Sequence, residues 1–195
     1  MSLSLTISEF GGKVCRVKGW SHSMISETVI FGIDPGKQGA ICMIEHGDKI
    51  TIEDMPKGVG YPEPATTVQL IKDMVWGRDS IIAIEMTFVM PKSGATAMHH
   101  YGIGYGTCIG AAYMMDNVKM LRTIRPQVWQ TDIWSVYGAH GEDTKQRTFQ
   151  AMCRAWAGNP IIKELTTARG KLLDGRSDAL GIATWIRDVE RGSIK

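Results

Sequence analysis

The stretch VIFGIDPG, residues 29–36, decides the fold because an uninterrupted apolar run ends in an acidic residue followed by Pro-Gly. A short apolar run bounded by turn-forming residues is typical of a buried β-strand. Two further runs with strand character follow at 40–44 and 49–55, and they flank a Gly47-Asp48 pair that predicts a hairpin turn. The sequence therefore predicts that the domain opens with three consecutive strands.

The rest of the chain alternates helical and strand patterns. Apolar residues recur at helical spacing from Val68 to Val75, and the continuous apolar run 81–84 ends in Glu85. A fifth strand is expected at 119–124, with helices at about 126–137, at about 144–157 and from about Asp174 onward. This order predicts an α/β domain over 28–195, with a mixed sheet covered by helices. Residues 1–27 show no clear period and are expected to form an irregular arm or extension.

Composition excludes several classes of protein. The chain has 195 residues, with 22 Lys and Arg against 20 Asp and Glu, which fits one ordinary domain. A formal charge of +2 excludes a strongly basic nucleic-acid coat protein, but not a nucleic-acid enzyme with local basic clusters. The four cysteines are scattered without a C-x-x-C pair, which disfavours a zinc or redox site and fits a cytoplasmic protein. Residues 93–115 carry no charge, but their histidines and glycines argue against a membrane helix.

Four acidic residues are placed where they can form one site. Asp34 and Glu85 each follow an apolar strand, and on neighbouring strands both carboxylates point into one small volume. Asp174 and Asp178 are spaced i, i+4, so they share a face at the start of the last helix. Like charges this close favour a divalent cation, and an all-oxygen ligand set suits Mg²⁺ or Mn²⁺. Such a cluster suits two-metal phosphodiester hydrolysis.

Each acid also has a simpler interpretation. An Asp after a strand is often a turn former, and Asp174 is placed where a helix N-cap is common. For one carboxylate alone the simpler interpretation is favoured, whereas the four together favour a site.

The most specific signal is an ordered set of motifs. The chain has GIDPG at 32–36 with Gly39 following, then Ile84-Glu85 ahead of Phe88, then DALGIA at 178–183. Between them lie RPQVW at 125–129 and GEDTK at 141–145. In order and spacing, this set resembles the motifs of RuvC-type Holliday junction resolvases, over about residues 30–187.

The resemblance implies a fold and a set of site residues. The fold would be RNase H-like, a five-stranded mixed sheet flanked by helices, in a homodimer with two Mg²⁺ or Mn²⁺ ions per active site. Asp34, Glu85 and Asp178 fall on family acids. Many members have an acid or His three residues before the final Asp, where this chain has Gly175, so we assign the fourth ligand to Asp174.

Two lysine positions complete the comparison with the family. Lys145 matches a family lysine near the scissile phosphate, where an ammonium stabilises charge that develops in the transition state. A second family lysine has no counterpart, because Trp129 and Gln130 occupy that neighbourhood.

Candidate contacts to nucleic acid surround these acids. Basic residues in loops or at helix starts predict a rim that binds phosphates. The alternative is that these cations are merely solvated, as most surface Lys and Arg side chains are. The rim consists of Lys37, Lys92, Arg125, Lys145, Arg147 and Arg176. Phe88 matches a family aromatic near the junction crossover that stacks on an unpaired base, with core packing as its alternative. Gly102, Gly106 and Gly110 share one helix face, around which the family places its dimer contact.

The expected function is metal-dependent, structure-selective cleavage of DNA at four-way or branched junctions. One alternative is an RNase H-like nuclease on RNA–DNA hybrids or flaps, and another is a junction-binding protein without catalysis. A sugar-kinase-like phosphate binder shares the strand-Asp-turn start, but the chain is short for two such lobes. The expected location is the cytoplasm, or the host cytoplasm for a viral protein.

Overall fold

The computed structural model describes residues 28–86 and 94–194. The predicted N-terminal arm, residues 1–27, lies outside the described residues, as do two predicted nucleic-acid contacts, Phe88 and Lys92. The described part includes the whole predicted sheet and all four predicted acids.

Five strands form one mixed sheet. In chain order they are β1 (Val29–Ile33), β2 (Ala40–Ile44), β3 (Ile50–Asp54), β4 (Ser80–Glu85) and β5 (Val118–Ile124). Their order across the sheet is β3-β2-β1-β4-β5. The first three strands pair antiparallel, whereas β4 pairs parallel with β1 and with β5. The predicted mixed sheet is confirmed, and the predicted hairpin turn contains a short 3-10 helix, His46–Asp48.

Five α-helices of the described residues cover the two faces of the sheet. They are α1 (Pro64–Val75), α2 (Ala95–Tyr113), α3 (Pro126–Val136), α4 (Thr144–Ala155) and α5 (Asp174–Glu190), with a 3-10 helix at Pro160–Leu165. Alternate residues of β1 point to opposite faces. Phe31 and Ile33 pack with α1 and α2, whereas Ile30 packs with α3, α4 and α5. The run 81–84 in β4 is buried on both faces, as predicted.

Close backbone approach fixes α5 against the centre of the sheet. A Cβ on Gly32 of β1 would lie 2.2 Å from the Ala183 nitrogen and 2.3 Å from the Ala179 carbonyl oxygen. On another side of the helix, a Cβ on Gly181 would lie 2.6 Å from a tryptophan ring of α3. Every residue of α5 from 179 to 188 is buried, so the helix is enclosed rather than packed on one face. Its first turn is thereby fixed relative to the ends of β1 and β4.

The cysteines of the described residues are free thiols. Cys42 and Cys108 are buried free thiols, and Cys153 is a free thiol at intermediate depth. Burial, with a smaller contribution from the Asp34 charge, raises the pKa of Cys108 to about 12, so this thiol stays protonated. Within residues 28–86 and 94–194, no helix combines the length and the apolar character needed to cross a bilayer.

Candidate active site

Asp34 and Glu85 leave the sheet side by side. Ile33 of β1 is in register with Ile84 of the parallel strand β4. The backbones of the next residues, Asp34 and Glu85, therefore lie about one strand spacing apart, roughly 4.8 Å, and their side chains point to the same face of the sheet. That face is the one covered by α5, because Gly32, two residues before Asp34, contacts this helix.

The turn after β1 holds the Asp34 carboxylate. The backbone N–H of Gly36 donates a 2.9 Å hydrogen bond to Asp34 Oδ1. The backbone N–H of Asp34 donates a 3.0 Å bond to the Ala40 carbonyl, which ties the turn to β2. A Cβ on Gly39 would lie 2.0 Å from the Asp34 carbonyl oxygen, so the turn requires glycine at this position. A backbone hydrogen bond thus orients the carboxylate.

Glu85 is oriented by a tryptophan side chain of α3. The indole N–H of Trp129, a fully buried residue of α3, donates a 2.8 Å hydrogen bond to Glu85 Oε2. In the sequence, Trp129 ends the RPQVW motif and stands in the neighbourhood where a family lysine is missing. In the structure it is a positioning residue for the second acid of the site.

The start of α5 brings two more acids to the same place. Asp174 is the first residue of the helix rather than its N-cap, so the simpler interpretation of this acid does not hold. A Cβ on Gly175 would lie 1.9 Å from the Gln38 carbonyl oxygen, so the helix start touches the turn between β1 and β2. Asp174 and Asp178 line a depression of about 320 Å³ together with Asp34.

Burial and mutual repulsion raise the pKa of three of the four acids. Burial is the main cause in each case: it raises the pKa of Asp34 to about 6 and that of Glu85 to about 8. The pKa of Asp178 is also raised well above its ordinary value, first by burial and then by the charges of Asp34, Glu85 and Asp174. Hydrogen bonds from Gly36 and Trp129 act in the opposite direction on the first two acids. Negative charge at this site is therefore costly without a cation.

The fourth acid behaves differently because Lys145 pairs with it. The ammonium of Lys145, at the start of α4, forms an ion pair with Asp174 Oδ2. Burial works to raise the pKa of Asp174, but the Lys145 hydrogen bond and charge outweigh it, and the net pKa is lowered. The hydrogen bond and charge of Asp174 in turn raise the pKa of Lys145. The predicted catalytic lysine thus lies at the acidic site.

The donor chemistry of the site fits a hard divalent cation. All four side chains are carboxylates, and burial together with neighbouring negative charge raises the pKa of three of them, a cost of ionisation that a bound cation would relieve. Over the described ranges, the His, Cys, Asp and Glu side chains form no ready-made cluster of three metal ligands. The carboxylates therefore converge without closing around an ion, and Asp174 is turned to Lys145.

The residues of the predicted basic rim differ in their surroundings. Arg176 is committed to the protein, because its guanidinium donates to Asp54 Oδ1 at 2.6 Å and Oδ2 at 3.0 Å. Arg147 stacks its guanidinium 3.9 Å from the ring centroid of Trp134. Lys37, by contrast, is exposed and lines the acidic depression. Arg125 is the N-cap residue of α3 and is exposed. A nucleic-acid role for Arg176 would therefore compete with an existing ion pair.

The chain has an RNase H-like fold. This fold is defined by the order of the strands, by the paired acids at the ends of β1 and β4, and by the helix that crosses the sheet. The chain is similar to the structure of T. thermophilus RuvC in complex with a Holliday junction substrate, with a TM-score of 0.51 and 16% identity. That match covers 86% of this chain and 99% of the RuvC chain.

A second similar structure is the yeast mitochondrial Holliday junction resolvase Ydc2, with a TM-score of 0.53 and 12% identity. The match covers 85% of this chain and 80% of Ydc2. No protein-family model and no curated protein sequence matches the chain. The predicted RNase H-like fold, with its likeness to RuvC-type resolvases, is confirmed.

Proposed function

We propose that the protein is a structure-selective DNA endonuclease that resolves four-way or branched junctions by metal-dependent phosphodiester hydrolysis. The observation that supports this most directly is the convergence of Asp34, Glu85, Asp174 and Asp178 at one edge of the sheet. The similarity of the fold to two Holliday junction resolvases supports the choice of substrate. The proposal keeps the cytoplasmic location expected from the scattered cysteines.

The four carboxylates are the groups that would hold two Mg²⁺ or Mn²⁺ ions. Such ions, when bound, activate a water molecule and stabilise the leaving 3′-oxygen, which yields 5′-phosphate and 3′-hydroxyl ends. The backbone N–H of Gly36 orients Asp34, and the indole of Trp129 orients Glu85. Lys145 supplies a positive charge beside Asp174 that stabilises the phosphate as negative charge develops.

Two copies of the chain would place two such sites on opposing strands of a junction. The exposed glycines of α2, which are Gly102, Gly106 and Gly110, support this part of the proposal, since a Cβ on any of them would meet no atom within 4 Å. Gly106→Glu is therefore tolerated within one chain but is expected to prevent helix-to-helix approach between two. Analytical ultracentrifugation should show a dimer for wild type and a monomer for this variant; a wild-type monomer would contradict the dimer.

Cleavage assays test the proposed function against its alternatives. The substrates are a labelled four-way junction, a linear duplex and an RNA–DNA hybrid, each with Mg²⁺, Mn²⁺ or EDTA. Asp34→Asn removes the charge but keeps an oxygen that can accept the Gly36 bond. The matched control is Asp116→Asn, which changes an exposed acid between α2 and β5.

Symmetric nicking of the junction, lost with EDTA and in Asp34→Asn but kept in Asp116→Asn, supports the resolvase. Preferential cutting of the hybrid would keep the fold and chemistry but change the substrate to the first alternative. Junction binding without cutting under any ion would reject the enzyme and favour the non-catalytic binder.

A further inference from the structure

One wall of the acidic depression is formed by a residue outside the proposed catalytic set. Tyr101 of α2 lines the depression together with Asp34, Lys37 and the two acids of α5. Its side chain is 45% exposed, so the ring is open to a ligand. The position of α2 brings this ring to the site, and packing on two sides fixes that position.

On the first side, α2 touches the turn that carries Asp34. A Cβ on Gly104, one helical turn after Tyr101 and on the same helix face, would lie 2.5 Å from the Pro35 carbonyl oxygen. Nothing larger than glycine fits between the helix and this turn. The distance between Tyr101 and the Asp34 turn is therefore set by backbone contact.

On the second side, the residue before Tyr101 anchors α2 to the loop between β3 and α1. The His100 ring lies 5.2 Å from the Tyr61 ring, centroid to centroid. A Cβ on Gly60 would lie 2.3 Å from His100 Cε1, which shows how closely the loop follows the helix. Tyr101 is thus an exposed aromatic on a helix that is held on both sides.

The chemistry of this wall differs from that of the others. The β1–β2 turn contributes Lys37 and Asp34, and α5 contributes two acids, one of which pairs with Lys145 of α4. By contrast, α2 has no Asp, Glu, Lys or Arg over its whole length. A scissile phosphate bound among the charges would direct an attached sugar and base to the uncharged wall. An exposed aromatic ring there is suited to stacking on a base, which every nucleotide offers.

We propose that Tyr101 is a substrate-contacting residue whose ring stacks on the nucleotide beside the scissile phosphate. This inference rests on the proposed function, since it assumes a nucleic-acid strand in the depression. The ring makes the contact and the hydroxyl is dispensable. Because a base must be free of its neighbours to stack here, Tyr101 favours branched DNA over continuous duplex.

Three variants test the proposal in the full chain. Tyr101→Phe keeps the ring, and Tyr101→Ala removes it. The matched control is Tyr113→Ala, which removes a 63% exposed tyrosine from the same helix, twelve residues or about 18 Å further along. Thermal melting and ultracentrifugation confirm folding and oligomeric state, and cleavage of a four-way junction gives kcat and KM.

Base stacking has a direct readout besides cleavage. A 2-aminopurine beside the mapped cleavage position is quenched when it stacks on an aromatic ring, and Asp34→Asn as background prevents cutting during the measurement. We expect Tyr101→Ala to lower kcat/KM about tenfold or more, mainly through KM, and to lose the quenching. The kcat/KM of Tyr101→Phe and of Tyr113→Ala should stay within about twofold of the wild-type value, and both variants should keep the quenching.

Several results would overturn this assignment. If wild type neither binds nor cuts branched DNA, the proposed function fails and Tyr101 fails with it. If wild type cuts the junction but Tyr101→Ala behaves as Tyr113→Ala, only the role of Tyr101 is rejected. Loss of activity in Tyr101→Phe equal to that in Tyr101→Ala would assign the contact to the hydroxyl, and a changed oligomeric state in Tyr101→Ala would assign the residue to a dimer contact.

Discussion

Replacing Glu85 by Gln should stabilise the metal-free protein at neutral pH, although it removes a proposed catalytic group. Burial, followed by the charge of Asp34, raises the pKa of Glu85 from 4.5 to about 8. A carboxyl with a raised pKa favours the folded state only while it stays protonated. Its contribution is complete below the unfolded pKa and is lost as the pH rises from about 4.5 to about 8.

The size of the effect follows from the two pKa values. Each pH unit between them costs about 1.4 kcal/mol of folding free energy. Because pH 7.5 lies about three units above the unfolded pKa, the wild type has lost on the order of 4 kcal/mol of folding free energy at this pH. Glu85→Gln avoids this cost, and its amide oxygen can still accept the Trp129 hydrogen bond. At pH 5 the two proteins should differ by less than about 1 kcal/mol.

Urea denaturation in EDTA at pH 5 and at pH 7.5 measures this difference. The control is Glu142→Gln, an exposed acid before α4, which should match wild type at both pH values. Added Mg²⁺ should then stabilise wild type more than Glu85→Gln, because ligand binding to the folded state raises its stability. If Glu85→Gln is less stable than wild type at pH 7.5 in EDTA, or if the gap does not grow between the two pH values, the inferred cost of this buried acid is wrong.

Three further predictions follow from the geometry of the site. Trp129→Phe removes the N–H that lowers the pKa of Glu85, so the pH profile of cleavage should shift upward; an unshifted profile would contradict the positioning role. Gly175→Ala places a methyl group 1.9 Å from the Gln38 carbonyl, and it should cost about 1–3 kcal/mol in urea denaturation and abolish cleavage, whereas unchanged activity would show that the helix start tolerates displacement. Lys145→Met should reduce cleavage about tenfold or more but change the unfolding free energy by less than about 1 kcal/mol, because its ion pair with Asp174 is largely exposed, and an equal loss in both would make the lysine structural.

The sheet and its acids were predictable because their signals are local. An apolar run that ends in Asp34, and another that ends in Glu85, specify strands and strand ends without knowledge of the rest of the chain. The contacts that refine the site were not predictable because they join distant segments. Trp129 and Glu85 are 44 residues apart, and Arg176 and Asp54 are 122 residues apart. No local pattern distinguishes a cation that is free from one that has such a partner.

The contacts between residues within the site also could not be predicted from the sequence pattern. The i, i+4 spacing of Asp174 and Asp178 predicts a shared helix face, and the structure agrees. It does not predict that Lys145 would pair with only the first of them, because that depends on where α4 begins relative to α5. No pattern in the sequence indicates a functional role for Tyr101, because an aromatic residue in an uncharged helix is usually interpreted as part of the core.

The late position of α5 in the chain sets the order in which the site can arise during synthesis. A ribosome releases residues 28–173, with Asp34 and Glu85, before it releases the helix that supplies the other two acids. The same helix packs between the sheet and the helices α3 and α4, so the growing chain also lacks part of the core on that face. In the nascent chain the proposed site therefore stays incomplete until α5 has been synthesised and has docked on the sheet.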